Sequence, residues 1–99
     1  MPPYGRLAGI IISAPDAQSA FDFGAALARR DQGLRALGAE VYGPAAAPIA
    51  RIRGRHRVRL LVKAPKGMAL QKALSDWVAQ VKLPTNLRLS IDIDPQTFF

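Results

Sequence analysis

The sequence predicts a small α+β domain of the split β-α-β type (βαββαβ), an antiparallel sheet with two helices on one face. Three observations lead to this fold class. Residues 87–94 alternate strictly between apolar and polar side chains, as a half-buried strand does. Residues 68–82 carry apolar side chains at helical spacing. Residues 48–63 contain five arginines at alternate positions around a glycine, which predicts two strands joined by a tight turn.

The length of 99 residues fits one domain, residues 1–99, with a modest core because 49% of the residues are hydrophobic. The absence of cysteine excludes a disulfide framework and a thiolate metal site within this chain. The apolar run at residues 8–12 is far too short to span a membrane. The N-terminus carries no signal-peptide pattern, so we expect a cytoplasmic protein with no membrane partner.

The first half of the chain predicts a strand and then a helix. Residues 6–13 are almost continuously apolar, which is typical of a strand at the centre of its sheet or covered on both sides. Residues 16–30 form the helix, with Asp16 favourable to the dipole at its start. The predicted apolar stripe of this helix consists of Ala17, Phe21, Gly24, and Leu27 or Ala28.

The middle of the chain is less regular. Residues 31–38 predict a weaker second helix or turn, and residues 39–42 a short strand. Two prolines make residues 43–48 a bend, which either separates two strands or kinks one long strand running from 41 to 53.

The second half predicts a hairpin, a helix and a last strand. The hairpin strands are residues 48–53 and 57–63, joined by a turn at 53–56. The helix over residues 68–82 places Met68 and Trp77 in the core. The alternating strand 87–94 completes the sheet.

A row of five arginines dominates the charge of the chain. They occupy alternate positions, which predicts one strand face carrying all the guanidiniums, namely Arg51, Arg53, Arg55, Arg57 and Arg59. Residues 1–50 carry four basic and four acidic groups, whereas residues 51–99 carry ten basic and three acidic groups, so the whole net charge of +7 lies in the second half. A patch this concentrated indicates a polyanionic partner, most often a nucleic acid, although a solvated basic surface is the alternative.

Three segments carry a resemblance to a known family. They are Pro-Pro-Tyr-Gly-Arg-Leu-Ala at residues 2–8, the run from Gly-Pro through Arg-Gly-Arg-His-Arg to Leu-Leu-Val-Lys at residues 43–63, and Ser-Ile-Asp-Ile-Asp-Pro-Gln at residues 90–96. In this order they resemble the last domain of the PriA family of bacterial replication-restart helicases (primosomal protein N′). His56 departs from the pattern, because relatives commonly have tyrosine or tryptophan there.

The resemblance implies that the chain is the C-terminal fragment of a larger helicase. Members of the family couple ATP hydrolysis, with Mg²⁺, to DNA unwinding in primosome assembly, and they bind zinc through cysteines. This chain has neither a Walker-type glycine-rich loop nor cysteine, so we expect no cofactor and no catalysis in the fragment itself. The family's last domain is similar to a small-subunit ribosomal protein. It is implicated in holding branched or single-stranded DNA and in docking the acidic, phenylalanine-ended tail of single-stranded DNA-binding protein (SSB).

The predicted DNA contacts lie in and beside the hairpin. The candidate residues are Arg51, Arg53, Arg55, His56, Arg57, Arg59 and Lys63. Arginine presents forked donors that match phosphate oxygens, and contacts to phosphates bind without reading sequence. Of the arginines, we favour those at positions 53, 55 and 57 for DNA and those at 51 and 59 for contacts with the absent helicase core. His56, at the predicted turn, either stacks on a base or is a solvated histidine.

A second candidate site is the start of the last helix. Lys66 and Gln71 flank a helix N-terminus, which favours a carboxylate such as the end of the SSB tail. The resemblance supports Gln71 by alignment and Lys66 only approximately. The alternative is an ordinary solvated helix start.

Other features weigh less. Asp92 and Asp94 share a predicted strand face, and surface or arginine-pairing roles are favoured over a metal site there. Phe98 and Phe99 either fold onto the domain or dock onto the helicase core. No nucleophile is spaced with the single histidine as in a catalytic site, so an enzyme is disfavoured. A ribosomal-protein-like RNA-binding or assembly module remains the alternative function.

Overall fold

The predicted fold class is confirmed by a computed structural model that describes residues 5–65 and 67–93. Four antiparallel strands form one sheet, and helices pack on one side of it. The elements in chain order are β1 (Gly5–Ala14), α1 (Ala17–Ala28), α2 (Gln32–Ala36), β2 (Glu40–Ile52), β3 (Arg55–Pro65), α3 (Leu70–Val78) and β4 (Arg88–Ile93).

The sheet has the strand order β2-β3-β1-β4, so β1 lies inside it and pairs with both β3 and β4. This position accounts for the apolar residues on both faces of β1, because one set of alternate side chains is buried under the helices and Ile11, on the open face, is half-buried between the neighbouring strands. The helix-bearing face is the core face. It buries alternate side chains of the two central strands, namely Ala8, Ile10, Ile12 and Ala14 of β1 and Val58, Leu60, Val62 and Ala64 of β3.

Helix α1 begins at an aspartate N-cap. The carboxylate of Asp16 accepts hydrogen bonds from the backbone N–H and the hydroxyl of Ser19, both at 2.8 Å, and so satisfies a donor that the first turn leaves unpaired. The predicted apolar stripe is confirmed at Gly24 and Leu27 but was wrong in the first half of the helix, where Ala20 and Phe23 are buried in place of Ala17 and Phe21. Phe21, a member of the predicted stripe, is only half-buried at the edge of the core.

Helix α3 is shorter than predicted, ending at Val78 rather than at residue 82. Its Trp77 is buried, as expected, and the indole N–H donates to the backbone carbonyl of Leu27 at 2.9 Å. This bond ties α3 to the last turn of α1 and satisfies the one polar atom of the indole. No helix of the described residues is long and apolar enough to cross a membrane.

Strand β2 is one long element, so the alternative of a single kinked strand through the prolines is confirmed. Its pairing with β3 is interrupted between Tyr42 and Ala45 and again between Ala46 and Arg51. At the first interruption Gly43 has a φ of +112°, and a Cβ added there would lie 2.8 Å from the carbonyl oxygen of Arg59. Only glycine fits this close approach.

Candidate nucleic-acid interface

The basic hairpin, formed by β2 and β3, has a turn of two residues. Arg53 and Gly54 connect β2 to β3 with φ values of +52° and +78°, the backbone that a two-residue type I′ turn requires at both central positions. The predicted four-residue turn at 53–56 was therefore wrong. Arg55 and His56 belong to strand β3.

This short turn separates the arginines onto two faces. Arg51 pairs directly with His56, and directly paired residues share a face. His56 lies on the helix-bearing face because it is in register with Ala14, and Arg51 lies there with it. Arg55, Arg57 and Arg59 lie on the opposite, open face. The expectation of one row of five guanidiniums was wrong. Beside the two-residue turn, odd-numbered residues of β2 share a face with even-numbered residues of β3, so the alternate arginines do not stay on one face.

The pairing of β1 with β4 adds an arginine that the sequence pattern did not single out. Ser13 of β1 is in register with Arg57 on one side and with Arg88 of β4 on the other, so all three lie in one line across the open face. We call Arg55, Arg57, Arg59 and Arg88 the basic face. The alternating pattern of residues 87–94 indicates that Arg88 points outward, but it does not show that Arg88 lies beside Arg57, because that depends on the strand register.

The arginines of the basic face are held differently. The Arg55 Nε donates to Ser13 Oγ at 2.7 Å, and its Nη2 donates to the carbonyl oxygens of Ser13 at 2.9 Å and Asn86 at 3.0 Å. Arg55 therefore braces the sheet against the loop before β4. Arg59 and Arg88 make no hydrogen bond or ion pair with another described residue, and Lys63 is exposed on the same face two positions beyond Leu61.

His56 is half-buried on the helix-bearing face rather than at the tip of the turn. The hydrogen bonds from the Ser19 backbone and hydroxyl lower the pKa of Asp16, and the charge of His56 contributes in the same direction. His56 lies near the start of α1, because it pairs with Ala14, three residues before the helix begins. This position separates it from the basic face, and its role in DNA binding stays a prediction.

The start of α3 lies beside a groove. The groove has a cavity volume of about 500 Å³. Its lining is mostly apolar and comprises Leu37, Pro65, Gly67, Met68, Ala69, Lys72, Ala73 and Asp76. Gln71 is exposed on the first turn of α3 but does not line the groove, whereas Lys72 does. Lys66 lies outside the described residues.

The remaining candidates are separated in space. Asp92 is exposed on the open face, opposite Gly9, and faces away from Arg6, which lies on the helix-bearing side opposite Ala64. Among the described residues there is no group of three or more histidine and carboxylate side chains that could hold a metal ion. Asp94, Phe98 and Phe99 lie outside the described residues.

Fold and site together define a small α+β domain with helices on one face of its sheet and clustered guanidiniums on the other. The likeness to solved structures supports the fold alone: a de novo designed protein, Foldit4, is similar with a TM-score of 0.63 and 9% identity, covering 93% of this chain and 98% of that one.

The family follows from sequence comparison. Residues 1–96 match the primosomal protein N C-terminal domain, and the chain belongs to this family. It is 31% identical over 99 residues to the replication restart protein PriA of Rickettsia felis, covering 100% of this chain and 15% of that protein. It is 37% identical over 92 residues to the probable replication restart protein PriA of Deinococcus radiodurans, covering 88% of this chain and 10% of that protein. The chain thus spans only a small part of the length of these relatives.

Proposed function

We propose that this chain is the C-terminal domain of a PriA-type replication-restart helicase, and that it binds single-stranded or forked DNA without sequence specificity through the basic face. The domain itself is not catalytic in this proposal. The ATP, Mg²⁺ and zinc of the parent helicase belong to its other domains, whose core is a further docking partner. The setting is the bacterial cytoplasm.

The observation that carries the proposal is the convergence of four guanidiniums from two strands on a sheet face that no described helix covers. Residues two apart in a strand are separated by about 6.8 Å, and neighbouring strands by about 4.8 Å, so these charges sum their fields over a small area. Arg59 and Arg88 make no hydrogen bond or ion pair with another described residue, which leaves their donors available for phosphate oxygens within this part of the chain.

DNA binding is tested by titrating the 99-residue chain against labelled single-stranded DNA, forked DNA and structured RNA at two salt concentrations. Arg59→Gln and Arg88→Gln each weaken DNA binding and lower the slope of log affinity against log salt by about 0.7 for each single-strand phosphate that the variant no longer neutralises. Arg30→Gln is the matched control, because it removes the same charge from an exposed residue after α1.

Equal effects of all three substitutions would indicate non-specific attraction to the whole charge and would contradict the basic face as the site. A clear preference for structured RNA would instead support the ribosomal-protein-like alternative.

The groove beside α3 supports a second activity, docking of the SSB tail. An apolar groove with Lys72 on its lining suits a phenylalanine side chain next to a carboxylate, and the Lys72 ammonium already attracts the exposed carboxylate of Asp76 at 3.2 Å. The sequence-based prediction of Lys66 and Gln71 as contacts of the SSB tail stays part of this proposal, and Gln71 is exposed on the first turn of α3.

This docking is tested by NMR titration with an acidic tail peptide, with and without its terminal phenylalanine. Amide shifts at Met68 and Ala73 that need the phenylalanine support the groove. Lys72→Gln weakens the interaction, while Lys82→Gln, an equal loss of charge beyond the end of α3, leaves it unchanged. Shifts that do not depend on the phenylalanine would reduce the interaction to charge attraction.

A further inference from the structure

One row of residues crosses all four strands of the open face next to the basic face. Tyr42 of β2 pairs with Leu61 of β3, Leu61 pairs with Gly9 of β1, and Gly9 pairs with Asp92 of β4. The row therefore offers an aromatic ring at one end, a carboxylate at the other and a position without a side chain between them. Arg59 lies one row away, at a spacing of about 6.8 Å along β3.

The glycine in this row is not required by the fold. A Cβ added to Gly9 would meet only the carbonyl oxygen of Asp92, at 4.0 Å, and the backbone of Gly9 is not in the left-handed region. A larger residue would therefore fit, and it would favour a strand more than glycine does. Glycine inside a strand occurs at bulges, at tight bends and where a ligand or another backbone approaches closely. The register of β1 with both neighbours runs through Gly9 without a shift, which excludes a bulge and is compatible with the approach of a ligand.

The tyrosine is presented to solvent in a fixed direction. Tyr42 is 50% exposed, and its hydroxyl donates a hydrogen bond to the Oε1 of Glu40, two residues earlier on the same strand. This bond raises the pKa of the Tyr42 hydroxyl and holds the outer end of the ring toward residue 40. An exposed ring restrained in this way loses little conformational freedom when a flat group stacks on it.

We propose that the Tyr42–Leu61–Gly9–Asp92 row is a base-stacking site for single-stranded DNA, an inference that rests on the proposed DNA binding of the basic face. One base stacks on the ring of Tyr42, the nucleotide passes over the gap at Gly9, and its phosphate reaches Arg59. Stacking on aromatic side chains is the common way in which proteins hold unpaired bases without reading sequence.

The charges around the row agree with a base on Tyr42 and a phosphate at Arg59. Glu40 lies beside Tyr42 and Asp92 at the opposite end of the row, so phosphates are repelled from both ends of the row, while the carboxylate oxygens accept hydrogen bonds from the amino groups of bases. Phosphates are thereby directed to the neighbouring row, where Arg59 lies. Duplex DNA does not fit, because its bases are stacked on one another and cannot lie on Tyr42.

The test separates bases from phosphates. The 99-residue chain is titrated with a single-stranded oligonucleotide, with an abasic strand of the same length and phosphate count, and with a duplex. Tyr42→Ala weakens binding of the ordinary strand about tenfold, the loss expected for one base–aromatic stack, and leaves the abasic strand unaffected. Gly9→Val acts in the same way by filling the gap. Tyr42→Phe keeps the ring but loses the restraint from Glu40, so it binds the ordinary strand more weakly than the parent chain and more tightly than Tyr42→Ala.

The outcomes distinguish this inference from the proposed function. If Tyr42→Ala changes neither strand, or both equally, while Arg59→Gln weakens both, the stacking site is overturned and the basic face stands. If Tyr42→Ala weakens duplex binding as much as single-strand binding, the stacking site is also overturned, since a duplex offers no unstacked base. If the parent chain binds neither strand, both proposals fail. Thermal unfolding of each variant verifies its fold, and Tyr42→Ala, at an exposed position, carries the test should Gly9→Val not fold.

Discussion

Arg55 and Ser13 are joined by two hydrogen bonds, from Nε to the hydroxyl at 2.7 Å and from Nη2 to the backbone carbonyl at 2.9 Å. The residues are far apart in sequence but neighbours on the open face, on strands β3 and β1. A third bond from Nη2 reaches the carbonyl of Asn86 at 3.0 Å and includes the loop before β4. One side chain thus connects the two central strands to the start of the edge strand.

Arg55→Lys is expected to lower the free energy of unfolding by about 1.5–3 kcal/mol, the range for a hydrogen bond to a charged group. Lysine keeps the charge but lacks the planar fork that reaches both oxygens of Ser13. Urea unfolding followed by circular dichroism measures the change. Arg59→Lys serves as the control, because Arg59 lies on the same strand face and has no hydrogen bond to any residue that the structure describes, and it should stay within about 0.5 kcal/mol of the parent. Equal stabilities for the two variants would show that Arg55 is not a structural brace.

Trp77→Phe is expected to destabilise the domain by about 1–3 kcal/mol, since it removes the hydrogen bond to the Leu27 carbonyl and leaves a space beside α1. Chemical denaturation gives the value. Tyr42→Phe also removes one hydrogen-bond donor from an aromatic ring, but at an exposed position, and should cost less. A Trp77→Phe variant as stable as the parent would mean that the indole N–H contributes nothing to joining α1 and α3.

Gly43→Ala is expected to lower stability by about 1–3 kcal/mol or more, because alanine is strained at a φ of +112° and its Cβ would lie 2.8 Å from the carbonyl oxygen of Arg59. Gly33→Ala provides the comparison. Its Cβ would meet nothing within 4 Å, and alanine favours the α2 helix over glycine. Thermal unfolding should therefore place the two variants on opposite sides of the parent. The close approach in β2 is refuted if Gly43→Ala melts at the parent temperature.

The Asp16 cap predicts a dependence of stability on pH. The Ser19 backbone N–H, then its hydroxyl, holds the pKa of Asp16 in the folded domain below its ordinary value of 3.8. The stabilisation is therefore fully present well above pH 3.8 and is lost as the pH falls through the lower folded pKa. We expect the stability difference between the parent and Asp16→Asn to shrink over this acidic window. A difference that stays constant from neutral pH to below the folded pKa would exclude the cap as its source.

The regular elements of the fold could be predicted because the spacing of apolar side chains in each element reflects which side of that element is buried. Strict alternation located β4 to within one residue of its ends, and the apolar run located β1 equally well. Helix α3 was predicted too long because its apolar spacing continues to Val81, which packs against the core from a turn rather than from the helix.

The site was harder to predict because it depends on register. Gly54 marks where the chain reverses but not how many residues the turn contains, and a two-residue turn places Arg51 on the other face from Arg57. Arg88 joins the basic face only through the pairing of both strands with Ser13. The local sequence of β3 or β4 does not reveal that Arg57 and Arg88 both pair with Ser13.

The position of β1 inside the sheet has a consequence for how the domain is made. This strand is the first of the four to leave the ribosome, yet its partners are residues 56–65 and 88–93. At roughly 5–20 residues per second, the isoleucines at positions 10–12 wait several seconds for their last partner strand. Residues 7–12 are apolar, uncharged and free of proline, which is typical of segments that aggregate while they are unpaired. The growing chain is therefore exposed to aggregation until β4 has been synthesised and pairs with β1.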